Sequence, residues 1–251
     1  MVQIYKYFLY LCRMEWKIVH VKETDSTNNW LRNSLRPADQ CLQPLVVWTD
    51  YQTAGKGQGT NSWESERDKN LLFSILYHPE GIPANRQFTI SMAVSLAIVD
   101  ALGEQIGDVN IKWPNDIYWR NGKIGGILIE HRLMGQTIKD TIIGVGINVN
   151  QRIFHSDAPN PVSLWQIHGH ETDREILLHE ILDRFSRYVN QDAKERYVSM
   201  LYRRKGFHPY CDKDGTFMAE FKDVEDDGHL LLCDENGREH RYAFKEVQYI
   251  I

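Results

Sequence analysis

Apolar and polar positions change rhythm several times along this chain, and each rhythm predicts an element. Residues 16–21, WKIVHV, alternate as a half-buried strand does. In ETDSTNNWLRNSL, Asp25 or Ser26 is suited to cap a helix, and Thr27 to Leu35 has room for a short one. LVVWT (45–49) is a continuous apolar run, the pattern of a buried strand. Residues 50–70 are polar and glycine-rich and predict a long loop, a class that is usually functional or disordered. LLFSILYH (71–78) returns to strand. Over 86–106, Ile90, Ala93, Leu96, Ala97, Leu102 and Ile106 recur at helical spacing and predict a helix with one buried face. A hairpin is expected with arms 109–120 and 123–133, turning at Asn121-Gly122, because this pair tolerates φ > 0. DTIIGVGINVN (140–150) is a further strand. Two helical patterns fill 172–204, the first with Ile176, Leu177, Ile181, Leu182 and Phe185 on one face. Beyond about residue 206, GTFMAEFKDV, GHLLLCDE and EHRYAFKEV read as three short strands. A β-unit of that size is too small to bury much core by itself, so it is expected to pack on the larger part.

Composition narrows the classes. The 251 residues suffice for one large domain, or a medium one and a small one. A net charge of −5 provides no general basic field for nucleic acid. The four cysteines form no CxxC pair, which argues against a zinc ribbon or redox motif and for a reducing, cytoplasmic setting. The apolar run Tyr7 to Cys12 is far too short to span a bilayer and lacks a signal peptide's cleavage site, so no membrane is expected. Residues 1–13 are read as a disordered extension, with folded structure starting at Met14.

The hairpin carries more charge than a structural one needs. With a two-residue Asn-Gly loop, Arg120 faces Lys123, Tyr118 faces Gly125 and Asp116 faces Ile127. Asp116, Tyr118, Lys123 and Gly125 then share a face. It forms a bay with a cation at one end and a carboxylate at the other, about 13 Å apart. An anionic ligand would fit there. Solvent-facing charges on an edge hairpin explain the same residues equally well.

AGKGQGTNSW (54–63) lets backbone approach a ligand at Gly55, Gly57 and Gly59, and Lys56 adds a cation. It is neither a Walker A loop nor a Rossmann fingerprint. His168-Gly169-His170 lacks a third metal ligand nearby in sequence, and His179-Glu180 is followed by Asp183 where a metalloprotease needs histidine.

Four stretches in order, ETDSTNNW (23–30), TDYQTAGKGQGTNSW (49–63), KWPNDIYWRNGKIGGILIE (112–130) and GVGINVN (144–150), resemble those of biotin–protein ligases, the biotin–[acetyl-CoA-carboxylase] ligases. The resemblance runs from about residue 16 to the end. It implies an α+β fold: a mixed, largely antiparallel sheet with packed helices, similar to class II aminoacyl-tRNA synthetase catalytic domains, over 14–205. A C-terminal SH3-like β-barrel would occupy 206–251.

The implied activity has two steps: biotin and ATP give biotinyl-5′-AMP, and a lysine of a biotin-carrier domain takes the biotin. ATP and Mg²⁺ would serve the first step. By the same resemblance, Ser26, Thr27, Asn28 and Gln52 bind the biotin head, and Gly55, Lys56, Gly57 and Gln58 form the loop folding over biotin and adenylate. Gly126 belongs to the biotin site, Trp63 packs on adenine and Asn148 reads its edge. Lys112, Asn115 and Asp116 line the nucleotide side. Lys123 sits on the carboxylate and α-phosphate. Lys123, Asp116 and Lys56 are the expected catalytic set, with Asp116 the one expected metal contact.

The loop departs from the family's GRGRxGRxW. Lys56 lacks an arginine's fork, and Gln58 and Asn61 replace two more cations, which bears on how tightly the adenylate is held. Many relatives carry an N-terminal DNA-binding domain. About 15 residues precede the first strand here, so no operator binding is expected. The family includes monomers and dimers, and an edge strand could pair a second copy to give a homodimer. Rival readings are a lipoate–protein ligase or octanoyltransferase on the same fold, and a non-catalytic biotin or nucleotide sensor.

Overall fold

A computed structural model describes residues 14–35, 43–156 and 159–251. The extension expected over 1–13 lies outside the described residues. In chain order the elements are β1 (Lys17–Val21), α1 (Thr27–Ser34), β2 (Leu45–Thr49), β3 (Leu71–Tyr77), α2 (Phe88–Ile106), β4 (Val109–Lys112), β5 (Asp116–Trp119), β6 (Gly122–Met134) and β7 (Thr137–Ile147). They are followed by α3 (Leu164–His168), α4 (Arg174–Tyr188), α5 (Lys194–Ser199), β8 (His208–Asp212), β9 (Gly215–Val224), β10 (Leu230–Asp234), β11 (Glu239–Tyr242) and β12 (Gln248–Tyr249).

Seven strands form one sheet in the order β1-β2-β3-β7-β6-β5-β4. Only β1–β2 is parallel, so the sheet is mixed and largely antiparallel, as expected for an α+β protein. β3 is buried along its whole length, which is why it reads as a continuous apolar run broken only by Ser74. One face of the sheet carries α1, whose Leu31 packs against Val47, Leu76 and Ile142. The other face meets α2 and α4 in the main core.

Register assembles one face of the sheet into a platform. Opposed residues in antiparallel pairs point the same way. Lys112, Asp116, Gly126, Gly146 and Leu72 form one row across β4, β5, β6, β7 and β3. Leu128, Gly144, Ser74 and Val47 form the next row, on the face covered by α1. Tyr118 and Lys123 form a third.

The hairpin departs from its expected form. The 109–120 arm is two strands, β4 and β5, joined through a cis Trp113-Pro114 bond. The tight loop is Arg120-Asn121, with Arg120 at φ 51° and Trp119 opposite Gly122. Gly122 is needed for space rather than for a left-handed turn: a Cβ there would lie 2.7 Å from Val162 Cγ1. A bulge then shifts the ladder, so that Ile117 faces Gly125 and Asp116 faces Gly126. Asp116, Tyr118 and Lys123 still share a face, but Gly126, not Gly125, joins them.

α2 starts at Phe88 and is buried on all sides from Ile90 to Val99, not on one face, because α4, α5 and the sheet surround it. Among the described residues the stretch Ala84–Ile106 is the one long and apolar enough to cross a membrane, yet 67% of its apolar window is buried inside the protein, as a core helix is. On α4, Ile176 is 60% exposed and Leu178 takes the buried place expected of it. The C-terminal stretch holds five strands rather than three, antiparallel in the order β11-β10-β9-β8-β12. It is packed on the larger part: Trp113 Nε1 donates to Gly228 O at 3.0 Å, and Phe244 packs on Trp113 and Phe88 with centroids 5.4 and 5.9 Å away.

Candidate active site

A cleft of about 760 Å³ opens over the platform, within the range that holds a drug-sized ligand. It is lined by Ser26, Thr27, Asn28 and Gln52 at one end and by Lys112, Asn115, Asp116 and Lys123 at the other. Lys56, Gly57, Gln58 and Trp63 border it on the loop side, with Gly126 and Asn148 completing the predicted set. Gly55 does not line the cleft. It sits at the loop's base, where a Cβ would lie 2.7 Å from Trp63 O.

The middle of the floor has no side chains of its own, because Gly126, Gly146 and Gly144 occupy those row positions. A Cβ on Gly146 would lie 2.5 Å from the Trp63 indole, and one on Gly144 would overlap Asn28 Oδ1. Trp63 and Asn28 therefore lie flat on the sheet. The loop carrying Trp63 folds back on itself through Trp63 N to Gly55 O (3.0 Å) and Gly57 N to Asn61 O (2.7 Å).

The polar end is a connected network. Ser26 occupies the N-cap of α1 but makes no side-chain cap bond. Instead Gln52 Oε1 accepts from Thr27 N (2.8 Å), which commits that oxygen and leaves Nε2, beside Gly55, as a donor. Thr27 Oγ1 is also 3.1 Å from Gln52 Oε1, Ser74 Oγ is 2.7 Å from Thr27 Oγ1, and Ser74 Oγ is 2.6 Å from Asn28 Oδ1. Two hydroxyl hydrogens serve three oxygen–oxygen contacts, so this buried cluster is one donor short. Asn28 Nδ2 donates to Glu130 Oε2 at 3.0 Å, and Glu130 Oε1 pairs with Arg32 at 2.5 Å. Ser74 and Glu130 were not expected. The signal for Ser74 was present, as the only polar residue in LLFSILY.

The charged end is tighter than the expected bay. Asp116 Oδ1 is 2.6 Å from Lys123 Nζ, and Asp116 Oδ2 is 3.7 Å from Lys112 Nζ. The side chains have 17–27% of their surface exposed, so they do not form a solvated edge. Burial holds the Lys112 ammonium below the usual lysine range against the opposing pull of Asp116, and Lys123 adds to the depression. The Lys112 ammonium also lies over the Tyr249 and Tyr118 rings, 5.0 and 5.3 Å from their centroids. Asn115 stitches β5 to β6 through Nδ2 to Ile127 O (2.7 Å). Asn148 donates from Nδ2 to Lys123 O (3.3 Å) and Val162 O (3.1 Å), so Oδ1 is the atom left to accept. His168 and His170 stack on each other, 3.7 Å between centroids, away from this cleft.

The profile of the biotin/lipoate A/B protein ligase family matches residues 21–148. The chain belongs to that family. The bifunctional ligase/repressor BirA of Bacillus subtilis is 28% identical over 89% of this chain and 70% of its own length. The biotin–[acetyl-CoA-carboxylase] ligase of Paracoccus denitrificans is 28% identical over 86% of this chain and 94% of its own. Among solved structures, a biotin protein ligase from Aquifex aeolicus in complex with biotin and ATP superposes with a TM-score of 0.75 at 24% identity, covering 93% of this chain and 99% of that one. In this member of the ligase family, the matched span contains Ser26 to Gln52, the glycine loop, the paired lysines and Asn148.

Proposed function

We propose that this protein is an ATP-dependent biotin–protein ligase. The carrying observation is the pairing, in one cleft, of a donor-poor buried head site with two lysines and a carboxylate across a glycine floor. A ureido ring has two N–H groups to give to such a head site, with its carbonyl left to accept from Gln52 Nε2. A dithiolane or fatty acyl chain has none, which favours biotin over lipoate or octanoate within the same family.

In the first step a biotin carboxylate oxygen attacks the α-phosphorus of ATP, and pyrophosphate leaves with the bonding pair. Two anions must be brought together, and Lys123 and Lys112 supply the countercharge. Asp116 holds both ammonium groups in place. In the second step the amine of a carrier lysine attacks the acyl carbon, AMP leaves, and the amine's proton goes to solvent or AMP. Trp63 and the loop 54–63 would shield the mixed anhydride from water, with Trp63 moving from the floor onto the adenine. Asn148 Oδ1 would accept from the adenine amino group. Asp116 is the one carboxylate among the paired charges and is already engaged by two lysines. Among the described residues no cluster of three acids or histidines lines the cleft. Mg²⁺ therefore fits as part of the MgATP substrate, with Asp116 as the protein carboxylate nearest the paired lysines, rather than as a resident metal.

On this reading, 14–205 is the catalytic domain, of the class II synthetase type, and 206–251 an SH3-like barrel, supported by its five antiparallel strands. The partner is the biotin-carrier domain of a carboxylase, in the cytoplasm. β1 is the edge strand a second copy could pair with, since β4 is bonded by Ile111 N to Met200 O.

The test is acid-dependent ATP–pyrophosphate exchange with biotin, lipoate and octanoate compared. Exchange is expected with biotin alone. Exchange with lipoate would move the protein to the sister activity, and none with any acid would favour the sensor.

A further inference from the structure

The loop at 54–63 contains one cation, Lys56, and its Nζ is given to Asn29 Oδ1 at 3.1 Å, toward α1. The loop itself thus turns little positive charge toward a nucleotide. A second ammonium comes from the other sheet. Lys245 Nζ occupies the space that a Cβ on Gly59 would take. Gly59 is held at φ 70°, between the cleft-lining Gln58 and Thr60. The absent side chain leaves a gap at the exposed rim of the loop, and Lys245, itself exposed, fills it.

The conformation of Lys245 is costly. It lies third in a turn closed by Glu246 N to Ala243 O (3.2 Å), at φ 72°, a position that favours glycine. Its neighbour Phe244 fixes the turn against Trp113, next to Lys112 in the chain. The nearest acid in the turn, Glu246, faces the other way and accepts from Ala243 N at 2.7 Å. Among the described residues Lys245 has no hydrogen-bond or ion-pair partner. A cation held in a strained turn at a glycine gap beside the cleft, with water as its present partner, is free to take an anion.

We propose that Lys245, carried by the second sheet, is a phosphate-binding residue of the nucleotide site that reaches it through the gap at Gly59 and supplies charge the loop lacks at Gln58 and Asn61. The proposal rests on reading the cleft as an ATP-dependent ligase site. It makes the C-terminal sheet part of that site rather than an appendage.

Lys245→Gly is the informative variant, because glycine relaxes the turn, so lost function cannot be assigned to unfolding. The KM for ATP in biotin-dependent exchange, and the Kd for ATP by direct titration, should each rise about tenfold. The KM for biotin and the Kd for adenosine, which has no phosphate, should stay unchanged. Adding Gln58→Arg to Lys245→Gly should restore ATP affinity. An ATP affinity within about twofold of wild type, or an equal loss for ATP and adenosine, would overturn the proposal. Failure of wild type to exchange with biotin would instead refute the ligase reading, while the ATP and adenosine titrations would still decide Lys245.

Discussion

Asp116 and Lys123 lie on different strands, seven residues apart, and meet at 2.6 Å because the Arg120-Asn121 turn pairs Lys123 with Tyr118, two residues from Asp116 on the same face. A turn at Asn121-Gly122 would have set Asp116 opposite Ile127; the Arg120-Asn121 turn and the bulge at Ile124 set it opposite Gly126. The contact fixes the Lys123 ammonium over the floor before any substrate arrives, so its orientation costs little when charge develops.

Lys123→Ala should therefore reduce exchange by about 10²–10³-fold. Lys123→Arg should recover only part of it, because a planar guanidinium cannot occupy the same point beside Asp116. Steady-state exchange kinetics measure both, and an alanine variant at the wild-type rate would remove Lys123 from the chemistry.

Ser74→Ala leaves Asn28 Oδ1 without its hydroxyl partner in a buried site. Stability should drop by about 1–2 kcal/mol in urea unfolding. The KM for biotin should rise while that for ATP holds. Movement of both together would contradict placing the head group at this end.

Gly144→Ala drives a methyl into Asn28, and Gly146→Ala drives one into Trp63. The first should cost about 1–3 kcal/mol, because Asn28 is tied to Ser74 and Glu130 and cannot retreat. The second should be milder in stability, because Trp63 is on a loop, but should change Trp63 fluorescence and its response to ATP.

Stability should fall as pH drops below about 6.5. Burial holds both His78 and His131 below their ordinary 6.5. Below that value the unfolded chain binds protons that the folded protein resists, so each unit of acidification favours unfolding until the folded pKa values are passed. Above it both states are neutral and the dependence vanishes. The double variant His78→Gln, His131→Gln should flatten the urea-midpoint profile between about pH 5 and 7; an unchanged slope would place the acid sensitivity elsewhere.

Periodicity alone located β1, β2, β3, the long helix and the β-rich C-terminus, since each depends on whether its own residues face core or water. The candidate site was legible as residue types, with all but Gly55 of the predicted residues meeting in one cleft. Its geometry was not. Ile176 was expected inside because its spacing fits, yet Leu178 is the residue that α2 and α4 bury, and spacing cannot tell how one helix is rotated against another.

The sequence by itself determined most of the elements, the glycine positions and the family, because these follow from local steric rules and from motif spacing. Tertiary structure decided which residues touch. The turn register joined Asp116 to Lys123, the packing of Phe244 on Trp113 brought Lys245 to Gly59, and cross-strand register placed Ser74 beside Asn28. Each of these contacts spans chain segments whose relative placement is set by the free energy of burying the whole core, and no local pattern encodes that sum.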